Sequence, residues 1–130
     1  MLVVKDFWMA VLAQDEAAIR SFFHENAYVN WHCTNERFTV DEFVRANCEY
    51  PGDWAGEIER QETLGDLIIT VTHVYTKDKR QSFHAVSFIK TEGDKILSID
   101  EYWGDDGQAP SWRLEKQIGK SIDKLTSFDS

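Results

Sequence analysis

The chain has 130 residues, 42% hydrophobic and 13% aromatic, with 23 acids against 14 bases for a net charge of -9. That length predicts one compact domain, and eight Phe, five Trp and four Tyr are too many aromatics for a disordered acidic chain. The charge argues against a nucleic-acid partner or an anionic membrane surface, because both need clustered Lys and Arg.

Val3, Val4, Phe7, Trp8, Val11 and Leu12 recur at three-and-four spacing and predict a first amphipathic helix. The opening MLVVKDFW runs straight into that pattern and is read as domain rather than signal peptide. Asp15 is placed to cap a second short helix carrying Ala18, Ile19, Phe22 and Phe23. Residues 26–34 alternate as a strand, with Val29, Trp31 and Cys33 on one face and Tyr28, Asn30 and His32 on the other. Thr39 and Glu42 form a capping box for a third helix, with Phe38 and Phe43 at staple spacing, and Pro51-Gly52 ends it.

Four more strands follow, roughly 54–63, 67–76, 81–91 and 95–103, broken at Gly65-Asp66, Lys77 to Arg80 and Gly93-Asp94. Links this short imply antiparallel hairpins. Beyond them, the loop GDDGQAP leads to a stripe of Leu114, Ile118, Ile122 and Leu125 interrupted by Gly119, which fits a packed helix or a loose tail. Helices first and a meander afterwards make an α+β domain, its helices on one face of a curved sheet. A conical cavity between the layers would suit a small ligand. No apolar run approaches the ~20 residues of a membrane span, so a soluble, cytoplasmic protein is expected.

The helix VVKDFWMAVLAQDEAAIRSFF followed by ENAYVNW, and the closing hairpin SFIKTEGDKILSIDEYWG, resemble the NTF2-like superfamily. The likeness is nearest to its SnoaL-like and ketosteroid-isomerase-like branch and covers about residues 2–104. It implies a cone-shaped, cystatin-like α+β fold, N-terminal helices packed on a curved antiparallel sheet. Residues 1–104 would form that domain, with 105–130 a C-terminal loop and possible short helix. It also implies a homodimer through the open sheet face. The fold hosts isomerases, cyclases, hydratases, epoxide hydrolases and non-catalytic binders, so it fixes no activity. Isomerase relatives place a Tyr on the first helix, an Asp base on the first strand and a protonated Asp on the fourth. Phe7, Trp31 and Val86 stand at those positions here and supply none of the three groups.

Period-two alternation gives the faces. With Trp103 and Ile99 inward, Glu101 between them is inward too, and His84, Val86 and Phe88 are the expected inner residues of strand 81–91. On strand 67–76 the face with Ile69, Val71, His73 and Tyr75 is the more apolar and is placed inside; on the strand before, Trp54, Ile58 and Arg60 share a face. Phe7, Val11 and Trp31 complete a mostly apolar pocket.

The candidate catalytic residues are Glu101 and His84, a carboxylate and an imidazole whose pKa values burial would move towards neutrality. A buried Glu101 with no partner costs several kcal/mol, so His84 or Arg60 is expected beside it. The other reading has Glu101 and Arg60 in a solvated rim salt bridge, with the histidines satisfied by backbone.

No metal and no cofactor are expected: His32 and Cys33 point to opposite faces, His24-Glu25 stands alone, and neither HExxH nor paired CxxC occurs. Cys33 and Cys48 read as buried free thiols of a reducing compartment, and Glu49 beside Cys48 disfavours a thiolate. Trp8, Phe22, Phe23, Phe43 and Trp54 read as core before ligand cage, while Trp103 and Trp112 flank an acidic loop that could cover the cavity mouth.

The expected function is binding of a small apolar or aromatic molecule, with proton transfer or water addition as the chemistry if there is turnover. The alternative is a non-catalytic dimeric interaction module whose cone is plugged by Trp31, Trp54 and Phe88. A cavity of roughly 300 Å³ or more favours the first. Phe83, Ala85 and Ile89 are expected on the outer face, covered by the second copy.

Overall fold

Asp15 accepts a hydrogen bond from the Ala18 backbone N–H at 3.1 Å and starts helix α2 (Glu16–Ser21) just after α1 (Val4–Leu12). Thr39 and Glu42 close both halves of the expected capping box on α3 (Val40–Cys48). In the computed structural model, which describes residues 2–122, these helices lie against one face of a six-stranded sheet.

The strands are β1 (Phe23–Trp31), β2 (Glu36–Thr39), β3 (Trp54–Leu64), β4 (Leu67–Thr76), β5 (Ser82–Glu92) and β6 (Lys95–Asp105). Their order is β2-β1-β6-β5-β4-β3. The sheet is mixed, not wholly antiparallel as expected, because β1 runs parallel to β6 with α3 and four strands between them in sequence. The short edge strand β2 was not read from the sequence. A single 3-10 turn at His32–Thr34 reverses the chain into it and leaves Cys33 exposed, so that thiol is not a buried one. The stripe expected in the tail forms only the short helix α4 (Ser111–Glu115), with Leu114, Ile118 and Ile122 exposed; Leu125 lies outside the described residues.

Phe7 anchors the core. Its ring is fully buried and meets Trp8, Phe22, Phe23 and Phe43 at centroid distances of 5.7–6.5 Å. Phe38 and Phe43 both pack their rings on Trp31. Helix α1 can lie close to β3 because Gly56 has no side chain: a Cβ there would stand 2.4 Å from the His73 carbonyl oxygen and 3.3 Å from Leu12 Cδ1.

Two β-bulges decide which side chains face the helices. A simple Gly93-Asp94 hairpin pairs Glu92 with Lys95 and Thr91 with Ile96, and continued unbroken would set Val86 opposite Glu101. Leu97 is instead an extra residue: Lys90 pairs with Ser98, and from there Ser87 pairs with Glu101 and Ala85 with Trp103. Paired residues share a face, so the inner residues of β5 are Phe83, Ala85, Ser87 and Ile89, and His84, Val86 and Phe88 are on the outer face. This reverses the expectation for all of them, including the outward placement of Phe83, Ala85 and Ile89.

The second bulge, at Glu59 in β3, keeps Ile58 opposite Thr72 but moves Arg60 opposite Val71 on the outer side. On β4 the buried face is Ile68, Thr70, Thr72, Val74 and Thr76; His73 and its neighbours Ile69, Val71 and Tyr75 face out. Polarity misled here because Thr is β-branched like Val and packs in a strand: the Thr70 hydroxyl accepts from the Trp8 indole N–H at 3.4 Å, while the Thr72 hydroxyl is buried with no hydrogen-bond partner among the described residues.

Candidate functional site

A cavity of about 170 Å³ opens between the helices and the inner sheet face. Its wall is made by Trp8, Val11 and Leu12 of α1, Gln14 just after it, Asn47 of α3, Tyr50, and the strand residues Trp31, Trp54, Val74, Phe83 and Trp103. Tyr50 stands edge-on to Trp54 at 5.2 Å, and Trp103 contacts Trp8, Trp31 and Phe83 at 6.2–6.3 Å. Among the described residues no Lys, Arg, His, Asp or Glu lines it.

Of the expected pocket residues, Val11, Trp31, Trp54 and Trp103 line this cavity. Phe7 and Ile99 lie on the same side but are fully buried in the core beneath it. Arg60 is a largely exposed partner of Glu62 at 3.1 Å, on the far side of the bulge and away from Glu101. Val86, Phe88, His73 and His84 are on the opposite face, which corrects their expected lining role. Trp112 is exposed on α4 and is not part of the wall. The sequence reading missed Gln14, Asn47, Tyr50, Val74 and Phe83. Trp8 and Leu12 had a signal, since both sit on the apolar stripe of α1; Gln14 had none.

Glu101 does point inward and is 1% exposed. Its Oε1 accepts from the Trp31 indole N–H at 2.9 Å and the Trp103 indole N–H at 3.4 Å, and its Oε2 accepts from the Ser87 hydroxyl at 2.6 Å. The pairing of Trp31 and of Ser87 with Glu101 in neighbouring strands brings these groups together. All three donors are uncharged; neither His84 nor Arg60 is the partner. Burial pushes the Glu101 carboxyl up, and the hydrogen bonds from Ser87, Trp31 and Trp103 pull against it. The carboxylate thus sits behind two indoles of the wall rather than in the wall itself.

The outer face holds a second polar cluster. His73 and His84, paired across β4 and β5, stack at 4.7 Å with planes 8° apart. His84 bonds Asp106 through Nδ1 at 2.5 Å and Glu59 through Nε2 at 3.0 Å; His73 bonds Glu57 at 3.2 Å and Ser82 at 2.9 Å. The hydrogen bond to Asp106 is the main reason His84 is held above its ordinary pKa, with the Asp106 and Glu59 charges adding to it against partial burial. Among the described residues, Glu59, His73 and His84 each bring one donor atom within 4.8 Å of the others. Parallel rings share no in-plane point for an ion, and their nitrogens are already bonded to neighbours, so the arrangement is an ion-pair network rather than a built metal site.

No protein-family model matches the sequence, and no curated protein matches it either. Solved structures do. An NTF2-like protein of unknown function from Burkholderia xenovorans superimposes with a TM-score of 0.73 at 22% identity, over 92% of this chain and 91% of that one. The fold is NTF2-like. A putative ketosteroid isomerase from Kribbella flavida matches over 98% of this chain and 90% of its own, with a TM-score of 0.75 and 16% identity. A ketosteroid-isomerase-like protein from Catenulispora acidiphila, solved with trimethylamine, matches over 76% and 82% at a TM-score of 0.63 and 15% identity. At these identities the likeness concerns architecture alone. Among the described residues no helix is long and apolar enough to cross a membrane.

Proposed function

We propose that this NTF2-like protein binds a small, largely apolar molecule of about one ring in the cavity beneath α1. The observation that carries this is a half-open space of about 170 Å³ walled by four tryptophans, Tyr50 and Phe83. It is smaller than the ~300 Å³ of a typical drug-sized site, yet close to the ~150 Å³ apolar cavity that suffices for benzene. A single ring or a branched aliphatic group fits; a fused polycycle does not. The trimethylamine complex of the Catenulispora neighbour supports a ligand of this scale in such a fold. The cavity falls short of the roughly 300 Å³ expected to favour binding, and Trp31 and Trp54 do stand in its wall, but Phe88 faces away and leaves the space open, which supports binding over the filled-module alternative.

Acid–base catalysis by Glu101 and His84 acting together is not supported by their placement on opposite faces of the sheet. Glu101 lies behind the wall and His84 on the far face, so neither residue of the expected pair reaches a guest in the cavity. The homodimer remains a proposal. Its supporting surface is the outer face around Ile69, Val71, Val86 and Phe88, and sedimentation of a stable monomer at micromolar concentration would remove it.

Benzyl alcohol titrated into the protein, followed by tryptophan fluorescence and calorimetry, tests the binding proposal. Saturable binding that Trp54→Ala weakens at least several-fold is expected. Absence of binding by any single-ring ligand at millimolar concentration overturns it.

A further inference from the structure

The cavity joins features that a site for neutral hydrocarbons does not need. Glu101 is a fully buried carboxylate bonded only to uncharged donors, with no cationic side chain in the wall beside it. Burying a carboxylate without a counter-charge is costly: the group either takes up a proton or is compensated by a cation, and the cavity in front of its two indoles has room for one. Around the cavity stand Trp8, Trp31, Trp54, Trp103 and Tyr50, and the faces of such rings attract cations. Two of these indoles, Trp31 and Trp103, direct their N–H groups at Glu101. An indole that donates to an anion becomes more electron-rich, so its π-face attracts a cation more strongly.

The polar atoms at the wall point the same way. Gln14 spends its amide nitrogen on the Asn47 and Tyr50 carbonyl oxygens at 2.8 and 2.7 Å, which leaves its Oε1 as an acceptor. Asn47 donates through Nδ2 to the Phe43 carbonyl, and the indole N–H of Trp8 is turned to Thr70. The wall therefore offers aromatic rings and, at Gln14, an acceptor to a guest that brings a positive charge and N–H donors.

We infer that the ligand of this cavity is a small protonated alkylamine, held by the indole cage with Glu101 as the buried counter-charge behind it. The inference rests on the binding proposal above and specifies its ligand class. Glu101 acts through the two indoles and the field it casts into the cavity, without touching the guest.

A matched pair of probes, tert-butylammonium chloride and tert-butanol, differs in charge and hardly in shape. At about pH 8 the ammonium is fully charged, since an alkylamine titrates near ~10.4. Calorimetry on the wild-type protein is expected to give the ammonium at least about a tenfold tighter Kd, equivalent to ~1.4 kcal/mol. In Glu101→Gln the ratio of the two affinities should fall to about one, a readout that general loss of structure, which weakens both probes alike, would not give. Should that variant fail to fold, the wild-type comparison still decides. Equal or tighter binding of tert-butanol overturns the ammonium assignment and leaves the cavity a site for neutral guests. Binding of neither probe, nor of benzyl alcohol, overturns both readings.

Discussion

The two faces of the same sheet treat carboxylates in opposite ways. On the inner face Glu101 is sealed behind indoles, meets only neutral donors and is pushed up in pKa by burial. On the outer face Asp106 and Glu59 meet an imidazole at the half-exposed surface, where hydrogen bonds from Ser82 and His84 outweigh burial and hold Asp106 below its ordinary value. The same functional group is thus a carboxyl biased towards its protonated form on one side and half of an ordinary ion pair on the other. Desolvation makes the difference, since it removes the water that would stabilise the charged form of Glu101. A search for paired histidine and carboxylate would choose the outer cluster; the environment singles out the inner residue, which has no ionic partner.

The largest test of this contrast is packing. Phe7→Ala is expected to cost ~3–5 kcal/mol in urea unfolding, because the ring is fully enclosed by other aromatics. Phe88→Ala on the outer face should cost about 1 kcal/mol or less in the isolated protomer, where the ring is only half-buried. Comparable losses from both would mean that the outer face is as enclosed as the core.

Removing one donor from the buried carboxylate comes next. Ser87→Ala should destabilise by ~1–3 kcal/mol, as expected when a buried acceptor loses its partner, and should raise the Glu101 pKa further. A stability change near zero would show that water reaches Oε2.

The smallest effects are in the pH profile. A raised carboxyl keeps its proton in the folded protein while the unfolded chain loses it from about pH 4.5, so stability falls as pH rises from there until folded Glu101 ionises. Glu101→Gln should flatten that slope. His84 is also raised, so its stabilisation is complete below about pH 6.5 and is lost as pH rises through its folded value. His84→Gln should remove only this second, shallower decline, since the pair is partly exposed and worth little. A Glu101→Gln profile identical to wild type would refute the inner-face account; an unchanged His84→Gln profile would refute the outer.

How far the site was legible follows from where the strands are regular. On β6, Ile99, Glu101 and Trp103 alternate without interruption, and their inward placement could be read directly. On β5 the same reasoning failed for His84, Val86 and Phe88, because one extra residue, Leu97, shifts the register by one and exchanges the faces. Arg60 failed in the same way at the Glu59 bulge. Gln14 and Asn47 come together across separate helices, which no local pattern announces.

The sequence by itself determined the elements and their layering: the capping box at Thr39, the Asp15 cap, the apolar stripe of α1 and the turns between hairpins are interactions among near neighbours. Only the tertiary structure decided which face of each strand meets the helices. Facing depends on inter-strand register, and a single bulge changes it at small local cost while moving every side chain beyond it to the other side. That is why the chain could announce a cone with an aromatic interior, yet only the folded sheet could leave Glu101 alone inside it and His84 outside.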